Sequence, residues 1–348
     1  MLGKIGSLFV LVVLILGSCQ KEPAVSTQME ESFYVRNGQV DIPAFVYGNG
    51  ASKVFILVVH GGPGGNGLEY RGGTYSEQLE KKYAMVYTDQ RHQGNSHGHL
   101  TDSEITVDAM VEDLHLTVTT LKERYGNDIS IFMMGHSWGG TLGTAYMIKD
   151  DYQSELAGWI EVDGAHDIPK LNIELIKMIQ TIGGDEVAAG NNVTDWNEMI
   201  GFVNGLDTNN ITTDQGGTLN GYGHRIEALL SQLHHSEGAS SGLLKTLFLS
   251  PNNPAISGLS GLQLPQAFMN EVEATSMTND LYKITIPTLL QWGKYDFVVP
   301  PALGYSAFDK ISSTHKYLKI YEHSAHSPMN NEPDLFVADI VTFIETYK

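Results

Sequence analysis

The 348-residue sequence has a single cysteine, Cys19, so no disulfide can form within the chain. Positive charge is scarce: 21 Lys and Arg stand against 40 Asp and Glu, a formal net charge of -19. Without a basic run the chain has no surface to track phosphates, which argues against nucleic acid as a partner. The acidic balance fits a soluble extracytoplasmic body, one that attracts cationic substrates, or simply a solvated surface with no specific partner. The apolar run Ile5 to Leu16 is too short to cross a bilayer as a permanent helix. There is no internal repeat and no low-complexity tract. Hydrophobic residues make up 42% of the chain, enough for a core, and the length fits one large α/β domain with an insertion or two small domains.

At the start, Met1-Leu2-Gly3-Lys4 is a short basic region followed by that apolar run, the layout of a secretion signal. The run ends in Leu16-Gly17-Ser18-Cys19, which resembles the lipobox of bacterial lipoproteins. The resemblance implies a leader over 1–18 that is cut before Cys19, and a lipid on Cys19. Gln20 to Glu31 is polar and aperiodic, so 19–31 reads as a tether. Gln20 directly after the cysteine is similar to lipoproteins passed to the outer membrane. The implied place is the cell envelope, periplasmic or surface-exposed, with membrane contact only through the lipid.

The most informative stretch is Met133 to Gly140, with Gly135-His136-Ser137-Trp138-Gly139 as a G-x-S-x-G pattern. An apolar run, Ile129 to Met134, precedes it, and Thr141 to Lys149, helical in character, follows. That context marks a nucleophile elbow, in which Ser137 is held on a sharp strand-to-helix turn. The alternative is a Gly-rich turn that happens to carry a serine.

Around the elbow, strands alternate with helices. Glu31 to Val35 and Val40 to Tyr47 read as a hairpin around Asn37-Gly38. Lys53 to Val59 is a continuous apolar strand of the kind buried on both faces. Tyr75 to Lys82 reads as a helix, Ala84 to Thr88 as a strand, Val107 to Tyr125 as a helix, and Leu156 to Val162 as a strand. The pattern resumes with a strand over Ile284 to Trp292, a helix after Pro301, a strand over Lys316 to Tyr321 and a helix over Pro333 to Tyr347. This order predicts an α/β fold with a mostly parallel sheet covered by helices on both faces. Between Gly164 and Lys283 the alternation stops, and helical patches such as Leu171 to Ile182 and Arg225 to Leu233 suggest an inserted, mainly helical lid. The expected division is a core of 32–163 and 284–348 with a lid of 164–283.

An acyl-transfer serine needs a base, an acid to orient the base, and donors for the oxyanion. Asp296 lies in the turn after one strand, and His323 and His326 lie just after the last. The order Ser137, Asp296, then a late histidine is that of α/β-hydrolases. The residues alone leave His326 and His323 both open as the base. His323-x-x-His326 without a carboxylate at suitable spacing makes a weak metal pair, and His60-Gly61-Gly62-Pro63 lacks the ending of a phosphate loop, so neither metal nor cofactor is expected.

Taken together, HGGPGG from His60, DQRHQG from Asp89, GHSWGG from Gly135, the Gly293-x-x-Asp296 turn and the late histidine resemble the proline iminopeptidase family of α/β-hydrolases. The resemblance implies His326 as the base, because a small residue such as Ser327 follows it in that family. It implies the amides of Gly62 and Trp138 as the oxyanion hole. Asp89 and Arg91 read as a structural ion pair beside the site. The resemblance covers roughly 50–163 and 284–348, and the lid does not match recognisably. That family binds its substrate's free amine through carboxylates, and Asp163, Asp167, Glu174 and Glu227 are the candidates here. Three functions follow: an aminopeptidase removing amino-terminal proline or a small apolar residue from peptides, an esterase or amidase for small acyl substrates, or a surface binding lipoprotein without turnover. An intact serine, acid and base argue against the last.

Overall fold

The structure, a computed structural model, describes residues 28–234 and 264–348. The leader and Cys19 lie outside the described residues. Along the chain the elements are β1 (Met29–Asn37), β2 (Val40–Gly48), β3 (Val54–Val59), α1 (Thr74–Glu80), β4 (Ala84–Thr88), β5 (His97–Gly98), α2 (Val107–Tyr125), β6 (Ser130–His136), α3 (Trp138–Ile148), β7 (Gly158–Val162), α4 (Ile168–Ala189), α5 (Val193–Asn204) and α6 (Thr213–His234). After them come a helix at Gln266–Glu273, β8 (Thr288–Gly293), a helix at Pro301–Lys310, β9 (Lys316–Tyr321) and a closing helix at Pro333–Tyr347. β1 begins at Met29, so the last residues of the expected tether belong to the sheet. The hairpin pairs Asn37 with Val40, and Gly38, at φ 61°, is the first turn residue rather than the second. Among the described residues no helix is long and apolar enough to cross a membrane.

The sheet runs β1-β2-β4-β3-β6-β7-β8-β9, with β5 on β2. From β4 to β9 every pairing is parallel, and the two-strand hairpin adds an antiparallel edge. β3 shows why its sequence is apolar throughout. Phe55, Leu57 and Val59 enter one core cluster, with α2 and α3, while Val54, Ile56 and Val58 enter a second on the other face, with α1 and the closing helix. Fully burying such side chains is worth about 1.5–3 kcal/mol each, so neither face can be left open. β8 starts four residues later than its apolar run suggests. Pro287, which has no amide to give to a ladder, stands just before it.

Between β7 and β8 the chain leaves the sheet as helices. Leu175, Ile176 and Ile179 of α4, Trp196, Met199 and Val203 of α5, and Leu219, Ile226 and Leu230 of α6 form a cluster of their own. Phe297, from the turn after β8, is buried within it. With Tyr295 of the same turn packed against the cluster, that ring ties the helical stretch to the crest of the sheet.

The DQRHQG segment departs from expectation. Arg91 pairs with Asp113 of α2 through two bonds of 2.7 Å, not with Asp89. Asp89 instead accepts from the amides of Gly67 and Asn95 at 2.7 and 2.6 Å. Removing Asp113 would strand a buried guanidinium, so Asp113→Ala should destabilise the fold by about 3–5 kcal/mol. Denaturant unfolding checks this, and a loss no larger than that of an exposed ion pair would contradict it.

Candidate active site

The parallel strands end along one edge, where the chain reverses direction between β3 and β6, the place such sheets bind ligands. Ser137 is the first residue past β6 and the residue before α3. Its backbone sits at φ 58°, ψ -123°, a conformation non-glycine residues rarely adopt. Helix and strand approach so closely there that a side chain on Gly139 would run into the Val59 carbonyl. The Ser137 hydroxyl is not spent on capping α3. It stands at the crest of the sheet.

Asp296 is fully buried and accepts from the amides of Val298 and Val299 at 2.8 and 2.7 Å through one oxygen. Its other oxygen lies 2.9 Å from Nδ1 of His326. A carboxylate can only accept, so Nδ1 carries the proton and Nε2 is left as a base. Burial pushes His326 down to about 3, which keeps the ring neutral at neutral pH. His323 is exposed, and its amide donates to Glu332 at 2.9 Å. Of the two imidazole rings, among the described residues only that of His326 is joined to an acid. Among the described residues no hydrogen bond closes the step from Ser137 to His326, a contact of the kind that tightens when substrate binds.

Gly62 has φ 129°, and a Cβ there would fall 2.7 Å from the Gly64 amide, so the turn requires glycine. Its loop is held from DQRHQG. Gln90 donates to the His60 carbonyl at 2.9 Å and accepts from the Trp138 indole at 2.7 Å, while Gln93 accepts from the Gly64 amide at 2.6 Å. Both expected oxyanion donors are thus tied to one segment.

A second network passes through His136, whose Nε2 lies 2.7 Å from the carbonyl of His326. A carbonyl cannot donate, so Nε2 bears the proton and Nδ1 accepts from the Tyr70 hydroxyl at 2.6 Å. That hydroxyl accepts in turn from the Gly61 amide at 2.8 Å. Every proton direction in the chain from Gly61 to His326 is fixed. Burial and the neighbouring His326 lower His136 to about 3. His136, Asp163 and His326 bring possible ligand atoms within 4.8 Å of one another. Both nitrogens of His136 and Nδ1 of His326 are already committed to hydrogen bonds, so the group reads as a network and not as a metal site.

The four expected amine-binding carboxylates part company. Asp163 is fully buried at the end of β7 and accepts from the Gly293 amide at 2.9 Å, out of a substrate's reach. Asp167 caps α4 through the Lys170 amide at 3.1 Å and accepts from Ser276 at 2.8 Å. Glu174 is paired with Lys177 at 2.8 Å on the surface of α4. Glu227 reaches the catalytic loops from the helical stretch: its carboxylate accepts from the His326 amide at 2.9 Å. Burial first, and the charge of Asp296 second, raise it to about 9. One turn earlier, His224 places its ring 6.3 Å from that of His326. The sequence reading missed His224, His136 and Tyr70. Only His136 carried a local signal, as a polar residue inside the elbow motif.

A doubly flanked parallel sheet with a serine elbow and a buried Asp–His pair along one edge defines an α/β-hydrolase. The chain belongs to the serine aminopeptidase S33 family, whose profile matches residues 51–192 and 254–334, and it is a serine hydrolase. It is 26% identical over 328 residues to the proline iminopeptidase of Saccharolobus solfataricus, covering 92% of this chain and 94% of that one. The structure of a proline iminopeptidase from Mycobacterium smegmatis superposes with a TM-score of 0.59 at 17% identity, over 91% of this chain and 98% of the other. An esterase from Exiguobacterium antarcticum does so at 0.58 and 17%, over 90% and 98%. The structural likenesses speak for the fold alone.

Two predictions follow from the His136 network. Tyr70→Phe leaves the Gly61 amide and His136 Nδ1 without partners, and should cost about 1–3 kcal/mol of stability per stranded group. Turnover should fall through kcat rather than KM. Both histidines titrate lower folded than unfolded, so their contribution is full above an unfolded value of about 6.5 and is lost as pH falls toward 3. Melting temperature should drop from pH 7 to pH 4, and less so in His136→Gln; equal slopes in the two proteins would contradict a neutral, buried His136.

Proposed function

We propose that the protein is an aminopeptidase that removes amino-terminal proline or a small apolar residue from peptides through an acyl-enzyme. Ser137 attacks the carbonyl while His326 Nε2 takes its proton. The amides of Gly62 and Trp138 receive the oxyanion, each such donor being worth about 10²- to 10³-fold in rate. His326 then returns the proton to the leaving amine, and water, activated the same way, releases the acyl group. Asp296 holds the imidazole in the required tautomer and balances its charge.

The observation that carries the peptidase reading is Glu227. A helix outside the sheet delivers a half-buried carboxyl to the catalytic loops, where burial opposes its ionisation. A substrate ammonium would supply the missing counter-charge and be held at a fixed distance from Ser137. In this reading the stretch 164–283 is a lid that selects substrates by their free amine. An esterase for small acyl substrates is the second reading. It is favoured by the His326 amide, which already occupies one Glu227 oxygen and gives that residue a purely structural task. We further propose that the leader is removed and that a lipid on Cys19 holds the enzyme at the cell envelope. Cys19→Ser should then leave the membrane fraction, and a variant still sedimenting with membranes would contradict the anchor.

Proline and alanine arylamides, assayed beside short-chain aryl esters, separate the readings. The peptidase reading expects arylamide turnover that is absent in Ser137→Ala and abolished by acylating the substrate amine. Glu227→Gln should cost about 10- to 100-fold in kcat/KM on free-amine substrates, the worth of a charged hydrogen bond, and less on esters. Equal hydrolysis of blocked and free substrates would leave the esterase reading.

A further inference from the structure

Behind the Asp296–His326 pair lies an acid that the mechanism above does not use. Asp163 is the first residue past β7, and Asp296 follows β8, the adjacent strand, so the two turns stand side by side. Asp163 is wholly buried and held at φ 45°, a strained position for a residue with a side chain. One of its oxygens accepts from the Gly293 amide. The other, also buried, meets no donor. Asp163 and Asp296 interact carboxyl to carboxyl, and two carboxyls can bond only if one is protonated. Asp296 already accepts from two amides and from His326, so its charge is the better supported and the proton belongs on Asp163. The orphaned oxygen is thereby explained as a donor.

We propose that Asp163 is a second acid of the site: it holds one proton, donates it to Asp296, keeps the pair at a single negative charge, and assumes that charge itself if Asp296 cannot. This rests on the serine-hydrolase reading of Ser137, Asp296 and His326. A carboxyl oxygen of Asp163 lies within 4.8 Å of ring nitrogens of both His136 and His326, close enough for its charge to stabilise a protonated His326. Burial and the charge of Asp296 both raise Asp163 well above the carboxylate range, in accord with a neutral acid at neutral pH. The other titratable groups around it are Tyr70, Tyr321, His136 and Glu227. None supplies a fixed positive charge. The pair must therefore limit its own charge, and sharing a proton does so. No bond is made or broken in this step: at neutral pH the proton stays on Asp163 while His326 shuttles the Ser137 proton, and it departs to solvent only at alkaline pH or when Asp296 is replaced.

Two substitutions and their combination test the claim, assayed on an aryl ester so that no substrate amine titrates. Asn at 163 tolerates positive φ, keeps an acceptor for Gly293 and offers a donor to Asp296, but cannot ionise. Asp163→Asn should lower kcat by about 10-fold, the worth of a weakened charged bond, and should lose the alkaline limb of the pH profile, which reports the second proton leaving the pair. Asp296→Asn should lose less than about 100-fold, against the roughly 10⁴-fold seen where a triad has one acid. The double variant should fall the full distance, about 10⁴-fold. Asp296→Asn falling that far alone, or a double variant no worse than Asp296→Asn, would overturn the proposal. If Asp163→Asn does not fold, Asp296→Asn alone still decides, by whether its loss stays below about 100-fold or reaches that of a single-acid triad. Undiminished turnover by Ser137→Ala would instead overturn the serine-hydrolase reading beneath it.

Discussion

The turn at Ser137 is the constraint on which the rest of the structure depends. A strand must become a helix within one residue, so Ser137 takes backbone angles that its side chain disfavours, and the flanking glycines must let α3 lie against β3 and β6. Strain of that kind costs on the order of 1–3 kcal/mol and persists only where the surroundings over-determine it. The surroundings here are the two apolar layers on either side of the sheet, which fix β6 between β3 and β7. With those neighbours set, the loops after β3, β6, β7, β8 and β9 converge, and the chemistry is assembled from their ends.

Assembly alone does not hold loops still. Hydrogen bonds with no freedom of direction do so: Gln90 and Gln93 from one segment, and the relay from Gly61 through Tyr70 and His136 to His326. The cost of this arrangement is charge. Asp163 and Asp296 lie where water is excluded, Glu227 is half-buried beside them, and all three are pushed toward the neutral form. A site with one retained negative charge beside a neutral imidazole suits general base catalysis. The excess carboxyl at its rim suits a cationic group of the substrate.

Much of the frame was legible in the chain because its signals are local. β3 declares its two buried faces in six apolar residues, β4, α2 and β9 occupy the expected spans, and the elbow names its own turn. What was illegible depends on partners far away in sequence. In sequence Arg91 pairs with the carboxylate two residues before it, yet its partner Asp113 faces it from α2. In sequence Asp163, Asp167 and Glu174 read as one set with Glu227, but a sheet end, a helix cap and a helix surface give these three acids three unrelated tasks. The helical stretch after β7 has weak periodicity in sequence, and its core is completed by Phe297 and Tyr295 from beyond it. Between His323 and His326 composition says nothing; burial beside Asp296 decides.

The central claim is that Ser137 is a nucleophile activated by His326. The most direct measurement is mass spectrometry of the intact chain and its peptides after reaction with a fluorophosphonate, run beside His326→Ala and His323→Ala. The account predicts one adduct per chain, on the peptide carrying Ser137, formed by His323→Ala and not by His326→Ala on the same time scale. An adduct on another residue, or labelling that survives loss of His326 but not of His323, would contradict it.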